Sequence, residues 1–92
     1  MGKYYVEIKE TAKNDIAKIA KSGNKSMIKK IDKIVKELNE HPHTGTGNPE
    51  KLKYDLSGYW SRRLNKKDRL VYEIFEEPER MVVIVSALGH YQ

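Results

Sequence analysis

The stretch that decides the fold is residues 59–88, YWSRRLNKKDRLVYEIFEEPERMVVIVSAL. It contains three runs rich in β-branched and aromatic residues, and polar segments with Asn, Asp or Pro separate these runs. We predict strands over residues 59–64, 69–75 and 80–88, because such runs suit a pleated, half-buried surface. Since the connections are short, neighbouring strands should pair antiparallel and form a β-meander.

Two amphipathic helices precede the meander. Thr11 is a good N-cap, and apolar residues recur at helical spacing from there until Gly23 interrupts the pattern. Asn24 can cap a second helix, which ends before Pro42 because the residue ahead of a proline is pushed out of the helical region. The apolar stripe of the second helix consists of Ile28, Ile31, Ile34, Val35 and Leu38. Helices separated by about three residues form an antiparallel αα-hairpin.

Two further strands complete the expected order. Residues 4–8, YYVEI, predict a short strand before the helices, and residues 51–54 are a candidate strand after the loop of residues 41–49. The order β-α-α-β-β-β-β predicts an α+β fold in which the αα-hairpin covers one face of a twisted antiparallel sheet. A chain of 92 residues has room for one hydrophobic core, so we predict a single domain over residues 1–92.

The turn before the last strand predicts a register. If this turn pairs Phe75 with Arg80, Arg69 lies opposite Ser86. Because side chains two residues apart share a face, Arg69 would then lie with His90 at one end of the sheet. A shift of one residue would reverse the face.

Composition excludes several kinds of site. The chain has no cysteine, which rules out disulfides, thiolate metal sites and cysteine nucleophiles and suits the reducing cytoplasm where we expect the protein. Its first residues hold no apolar run long enough for a signal peptide, and the longest apolar run, residues 81–85, is too short to cross a bilayer. His41 and His43 have no carboxylate cluster nearby in sequence, so we expect no metal site. We predict a soluble protein without a membrane partner.

The net charge of +5 is unevenly distributed along the chain. Residues 1–40 carry ten Lys against six acidic residues, and residues 41–69 carry seven Lys or Arg against three. Residues 70–92 carry one Arg against four Glu. This pattern favours a polyanionic partner, either nucleic acid or an acidic protein. A soluble domain from a lysine-rich proteome is the alternative interpretation.

An acid–base set beside cations is the remaining chemical feature. Glu50 and His90 can serve as proton acceptor and donor, since the reference pKa values are about 4.3 for Glu and about 6.5 for His. The cations of this set are Lys53, Arg62, Arg63 and Arg69. Cleavage of RNA by its own 2′-hydroxyl needs a base for the hydroxyl proton, cations for the charge on phosphorus and an acid for the 5′-oxygen. Taken singly, each residue is more often an ordinary surface group.

Residues 49–64, PEKLKYDLSGYWSRRL, resemble the central signature of the YoeB/Txe-type toxins in the RelE/ParE superfamily of bacterial toxin–antitoxin systems. Residues 68–72, DRLVY, and residues 89–91, GHY, continue the resemblance in the same order. The resemblance implies a β-sheet like that of the RelE/ParE toxins and the microbial ribonucleases. It also implies a ribosome-dependent mRNA endonuclease that cuts codons in the ribosomal A site without a metal or cofactor and is inhibited by a cognate antitoxin.

The resemblance implies roles by position. The general base would be Glu50, the general acid His90, the main phosphate-stabilising residue Arg69, and a substrate-orienting or stacking residue Tyr91. Lys53, Arg62 and Arg63 are expected to bind RNA or phosphate. Asp68 departs from the family pattern, because many members have His at this position.

The resemblance also implies the partners. We expect the 70S ribosome with its mRNA, an acidic antitoxin that folds across the basic face near Arg62, Arg63 and Arg69, and a second copy of the chain in a plausible homodimer. A column of like charge on the second helix is either a solvated face or, as we prefer, a surface that docks onto ribosomal RNA. This column consists of Lys25, Lys29, Lys33 and Lys36. Two alternatives stay open: a topoisomerase-poisoning toxin on the same fold and a non-catalytic RNA-binding module.

Overall fold

The structure is a computed structural model that describes residues 3–89. Within these residues the strands are β1 (Tyr5–Ile8), β2 (Glu50–Lys51), β3 (Tyr59–Arg63), β4 (Arg69–Phe75) and β5 (Met81–Gly89). The helices are α1 (Glu10–Lys21) and α2 (Lys25–Glu40), and a 3₁₀ turn (Tyr54–Leu56) lies between β2 and β3. This order of elements confirms the predicted α+β fold.

The strands form one mixed sheet in the order β1-β5-β4-β3-β2. Strands β2 to β5 pair antiparallel, as predicted for the meander, whereas β1 pairs parallel with β5, with Tyr5 opposite Met81 and Ile8 opposite Ile84. The prediction of a fully antiparallel sheet was therefore wrong at β1. A tight turn forces its two strands to run antiparallel, but β1 and β5 lie far apart in the chain, so no turn constrains their relative direction.

Both helices pack against one face of the sheet and form the core with it. The buried apolar residues of the helices are Ala12, Ile19, Met27, Ile31, Ile34 and Leu38. The sheet contributes Leu70 and Tyr72 from β4, because these alternate positions point toward the helices. Arg69 and Val71 consequently point to the opposite face, which the helices leave uncovered.

The helix termini test two predicted caps. The Asn24 side chain accepts a hydrogen bond from the Met27 N–H at 3.2 Å, which confirms the N-cap of α2. The prediction of Thr11 as the N-cap of α1 was wrong, because α1 begins at Glu10 and its N-cap is Lys9. The Thr11 hydroxyl instead donates to the Val85 carbonyl at 2.6 Å and thereby ties α1 to β5.

The pairing of β4 with β5 differs from the predicted register. Phe75 pairs with Met81, one residue beyond the predicted partner. The β5 strand then contributes an extra residue at two irregularities, so that Arg69 lies opposite Gly89 rather than opposite Ser86. The register prediction was wrong by one residue at the turn and by two more at the irregularities, because neither the turn geometry nor a bulge leaves a periodic signal in the sequence.

A carboxylate from α1 binds the irregular part of β5. Asp15 Oδ2 accepts hydrogen bonds from the Ala87 N–H at 3.0 Å and from the Leu88 N–H at 3.3 Å. Backbone groups at a bulge lack a regular partner in the neighbouring strand, and this carboxylate supplies one. These hydrogen bonds tie the irregular part of β5 to α1, and Gly89 follows it opposite Arg69.

Candidate active site

Strand pairing brings Glu50 and Arg69 to the same face of the sheet. Glu50 on β2 lies opposite Ser61 on β3, and Ser61 lies opposite Val71 on β4. Arg69 precedes Val71 by two residues, so both side chains leave the sheet on the same side. The candidate site is therefore carried by backbone pairing across three strands, on the face without helices.

The two charged side chains of this site are in contact. Arg69 Nη1 lies 3.4 Å from Glu50 Oε1 and 3.4 Å from Ser61 Oγ. The side chain of Arg69 is 26% exposed and that of Glu50 is 51% exposed. An ion pair this open to water adds about 1 kcal/mol at most to stability. Both charged groups thus remain accessible to a ligand.

A cleft of about 280 Å³ opens beside the ion pair. Its lining residues are Glu50, Lys51, Leu52, Lys53, Tyr54, Leu56 and Arg69. Lys53 is exposed in this cleft, and Arg63 is exposed directly opposite Arg69 on β3. The cleft therefore places the Glu50 carboxylate beside the cations Lys53 and Arg69, and the roles predicted for these residues stay predictions.

Arg62 lies on the other face of β3 and is fully buried. Its Nη1 donates to Glu37 Oε1 at 2.6 Å, and its Nε donates to the Tyr72 hydroxyl at 3.0 Å. Its Nη2 donates to the carbonyls of Pro42 at 3.2 Å and Thr44 at 2.8 Å. The prediction that Arg62 binds RNA phosphate was wrong, because its guanidinium points into the protein and its donors are occupied there.

The loop that precedes β2 is held by hydrogen bonds along its length. The Glu37 carboxylate accepts from the Thr46 N–H at 2.8 Å and from the Thr46 hydroxyl at 2.7 Å. The Arg63 N–H donates to the Gly47 carbonyl at 2.7 Å. Gly47 has φ +87°, and a Cβ there would lie 2.9 Å from the Arg63 carbonyl oxygen, so this close approach requires glycine. The loop consequently delivers Glu50 to β2 along a fixed path.

The buried network shifts two pKa values. Burial raises the pKa of Glu37, but the hydrogen bonds from Thr46 and Arg62 outweigh burial and hold this pKa below its usual value. Burial also raises the pKa of the Tyr72 hydroxyl. Among the described residues, no buried side-chain nitrogen or oxygen lacks a hydrogen-bond partner. Glu37 was not identified from the sequence, because one acidic residue on a charged helix resembles a solvated one.

The lysine column lies apart from the cleft. Lys25, Lys29, Lys33 and Lys36 are all exposed on α2. Since α2 covers one face of the sheet and the cleft opens on the other, the column and the cleft point in different directions. Lys36 pairs with Asp32 at 3.2 Å, and both side chains are largely exposed.

Asp68, where many members of the resembled family are expected to have His, is part of the turn between β3 and β4. It is buried, and its Oδ2 accepts a hydrogen bond from Asn65 Nδ2 at 3.1 Å. Asn65 Oδ1 in turn accepts from the Asp68 N–H at 2.7 Å and closes the turn between β3 and β4. The departure therefore lies outside the cleft.

The remaining predicted residues are His90 and Tyr91, which lie outside the described residues, so their roles stay predictions.

In residues 3–89, no group of three His, Cys, Asp or Glu side chains could hold a metal ion. His43 packs edge-on against Trp60 with ring centroids 5.3 Å apart. Neither helix in this part of the chain is long and apolar enough to cross a membrane.

Tyr54 lines the cleft, although it was not predicted there from the sequence. Residues 51–54 were a candidate strand, but β2 ends at Lys51 and Tyr54 begins the 3₁₀ turn with φ +60°. The Tyr54 side chain is 91% exposed at the edge of the cleft. The turn sequence that follows it, Asp55-Leu56-Ser57-Gly58, was the available signal that the chain leaves the strand early.

Comparison with known proteins identifies the family. A family model for the YoeB-like toxin of bacterial type II toxin–antitoxin systems matches residues 8–91. The chain belongs to this family. The match confirms the resemblance seen in residues 49–64 and extends it through both helices.

Individual relatives agree with this assignment. Toxin YoeB of Synechocystis sp. is 45% identical over 69 residues, which cover 75% of this chain and 77% of the relative. A YoeB dimer from Staphylococcus aureus superposes with a TM-score of 0.80 at 33% identity, covering 97% of this chain and 99% of the other. The toxin in a YoeB–YefM complex from the same species gives 0.76 at 35% identity, with 96% and 98% covered.

Replacing Arg62 of this YoeB-like toxin should destabilise the fold. Arg62→Ala leaves the largely buried Glu37 carboxylate without its cation, so the free energy of unfolding should fall by about 3–5 kcal/mol. Urea unfolding followed by circular dichroism measures the change. The matched control is Arg63→Ala, the exposed neighbour, which should change stability by about 0.5 kcal/mol or less. Equal losses in both variants would contradict the structural role of Arg62.

Acid should remove the stabilisation that Glu37 provides. The pKa of Glu37 in the folded state lies below its usual value, so the stabilisation is present above the usual pKa and is lost as pH falls through the folded-state pKa. The urea midpoints of wild type and Glu37→Gln should therefore differ at neutral pH and converge on acidification. Glu79→Gln, an exposed control, should follow wild type throughout. A gap that does not narrow in acid would count against this prediction.

Proposed function

We propose that this YoeB-like toxin is a ribosome-dependent mRNA endonuclease that cuts codons in the ribosomal A site. The observation that carries the proposal is the contact of Glu50 Oε1 with Arg69 Nη1 at 3.4 Å in an open, basic cleft. A carboxylate and a guanidinium in contact supply the proton acceptor and the phosphate-binding cation of RNA cleavage. Membership of the toxin family supports an activity that arrests growth.

The proposed reaction uses the 2′-hydroxyl of the RNA as nucleophile. Glu50 accepts the 2′-hydroxyl proton while the 2′-oxygen forms a bond to phosphorus. Arg69, with Lys53 and Arg63 nearby, stabilises the negative charge that develops on the phosphoryl oxygens. The bond from phosphorus to the 5′-oxygen then breaks, and His90 donates a proton to that oxygen. The products are a 2′,3′-cyclic phosphate and a 5′-hydroxyl, and no metal ion takes part.

The ion pair gives the free toxin a resting arrangement. Without RNA, the Arg69 guanidinium contacts the Glu50 carboxylate, and this contact is weak because both groups are partly exposed. A phosphate that binds Arg69 would compete for the guanidinium and release the carboxylate toward the 2′-hydroxyl. Substrate binding and activation of the base would therefore occur together.

The shape of the cleft supports dependence on the ribosome. A shallow cleft of about 280 Å³ encloses too little of a flexible RNA strand to order it alone. The ribosome presents mRNA in a fixed path and lowers this entropic cost. The lysine column on α2 faces away from the cleft, so it can contact ribosomal RNA while the cleft meets the codon. Added salt should weaken such contacts steeply, because lysine contacts release counterions.

The decisive measurement is the mapping of mRNA 5′ ends in a translation reaction. Wild-type toxin should produce cuts within translated codons, and Glu50→Gln and Arg69→Ala should each slow cutting by about 10²–10⁴. The matched controls are Glu76→Gln and Arg80→Ala, which disrupt another exposed ion pair, 3.8 Å long, away from the cleft. Both controls should cut at the wild-type rate.

Other results would overturn the proposal. Equal cutting of naked mRNA would remove the ribosome from the mechanism. Growth arrest without mRNA cuts, accompanied by DNA damage, would indicate a topoisomerase poison on the same fold. Unchanged arrest by folded Glu50→Gln would indicate a non-catalytic RNA-binding module.

A cognate antitoxin is the proposed inhibitor, as the Staphylococcus aureus relative in complex with YefM suggests. We propose that an acidic segment of the antitoxin lies across Arg63 and Arg69, where charge complementarity favours it. Arg62 takes no part because it is buried. The dimer of the Staphylococcus aureus relative makes a homodimer a further proposal.

Reversing one charge should test the antitoxin surface. Arg63→Glu should weaken the complex and increase its sensitivity to salt, as measured by isothermal titration calorimetry. Lys21→Glu, an equal charge change at the end of α1, should leave the affinity unchanged. Equal weakening by both variants would show that net charge, rather than this face, governs binding.

A further inference from the structure

Tyr54 is exposed without a structural reason. Among the described residues it is the most exposed large hydrophobic side chain, at 91%, and it lines the cleft together with Glu50 and Arg69. A tyrosine that packs in a core buries its ring and places only the hydroxyl near water. This ring gains nothing from burial, so packing does not account for tyrosine at this position.

The backbone conformation at Tyr54 is a second, independent sign that stability does not account for tyrosine at this position. Its φ of +60° lies in the left-handed region, which is unfavourable for a bulky residue with a Cβ. The turn imposes this conformation, because the Ser57 N–H donates to the Tyr54 carbonyl at 3.0 Å and the Leu56 N–H donates to the Lys53 carbonyl at 3.2 Å. Glycine would adopt the turn without strain. Tyrosine therefore costs stability here, as strained residues at functional sites often do.

The neighbours of Tyr54 define the ligand that its ring would suit. Lys53 precedes it in the chain, and Arg69 lines the same cleft, so the cleft combines an exposed aromatic ring with cations that can bind a phosphate. Tyr54 is also the one aromatic residue among those that line the cleft in the described part of the chain. Cations beside an exposed aromatic ring are the arrangement with which proteins hold single-stranded nucleic acid.

We propose that the Tyr54 ring stacks on one base of the A-site codon while the neighbouring phosphate lies at Glu50 and Arg69. The inference rests on the proposed function and adds a group that orients the nucleotide for attack, in addition to the role that the resemblance implies for Tyr91. The turn leaves the ring open to solvent at the edge of the cleft, where a base can reach it. Stacking tolerates any base, since every base has a π-face.

The first test is single-turnover cleavage on ribosomes that carry an initiator in the P site and a vacant A site. Tyr54→Ala should slow cleavage about 5- to 150-fold, which is the effect of removing one base–aromatic stack. Tyr54→Phe should cut near the wild-type rate because it keeps the ring. The control is Tyr5→Ala on β1, the other edge strand, where the side chain is 65% exposed; it should also cut at the wild-type rate.

A glycine variant separates the ring from the strain. Tyr54→Gly removes the ring but adopts φ +60° freely, so its thermal midpoint should equal or exceed that of Tyr54→Ala. Its cleavage rate should be as low as that of Tyr54→Ala. If the thermal midpoint of Tyr54→Gly also stays within a few degrees of wild type, its loss of cleavage cannot be attributed to unfolding.

The second test removes the base instead of the ring. Messenger RNAs with an abasic nucleotide at each of the three codon positions in turn are given to wild type and to Tyr54→Ala. At the stacked position, the abasic change should slow wild type but should not slow Tyr54→Ala further, because the contact is already lost. The two losses should be additive at the other positions.

The outcomes separate this inference from the proposed function. A wild-type rate for Tyr54→Ala, a Tyr54→Phe rate as low as that of Tyr54→Ala, or additive losses at all three codon positions would each overturn the stacking role alone. If Tyr54→Ala leaves cleavage unchanged but weakens the antitoxin complex, Tyr54 contacts the antitoxin instead, and the stacking role is overturned. Failure of wild type to cut the intact codon would overturn the proposed function, and this inference with it.

Discussion

The ion pair of Arg62 with Glu37 is the interior contact on which the candidate site depends. A buried guanidinium is tolerated only if its charge is paired and its N–H groups find acceptors, since desolvation costs several kcal/mol. Here one acceptor comes from α2, one from Tyr72 on β4, and the others are carbonyls of the loop of residues 41–49. The path of this loop is therefore set by the need to satisfy a charge rather than by apolar packing.

Strand β3 connects this interior network to the cleft. Its residues Ser61, Arg62 and Arg63 alternate between the two faces of the sheet. Ser61 contacts Arg69 in the cleft, whereas Arg62 binds the loop that leads to Glu50. Strand β3 therefore positions both charged groups of the site. Arg69 lies on the neighbouring strand β4, and Glu50 follows the loop that Arg62 binds.

Local periodicity was sufficient for the helices and for the limits of β4, because burial of an apolar face repeats within one element. It could not predict the direction of β1 or the bulges of β5, which depend on pairing between distant segments. Residue chemistry predicted that Glu50 and Arg69 belong to one site, and the structure brings them into contact, whereas the roles implied by the family resemblance stay predictions. Sequence could not distinguish Arg62 from Arg63, because a single charged residue on a core face looks like a surface residue. The outward turn of Tyr54 depends on a backbone angle that no side-chain pattern reveals.

The position of β2 at the edge of the sheet has a consequence for solubility. An edge strand offers unpaired N–H and C=O groups that can recruit strands from other chains and begin aggregation. This edge is only two residues long, and both residues, Glu50 and Lys51, are charged and exposed. Short length and charge are the features by which sheets resist such pairing. The carboxylate that faces Arg69 thus also protects the open edge of the sheet from other copies of the chain.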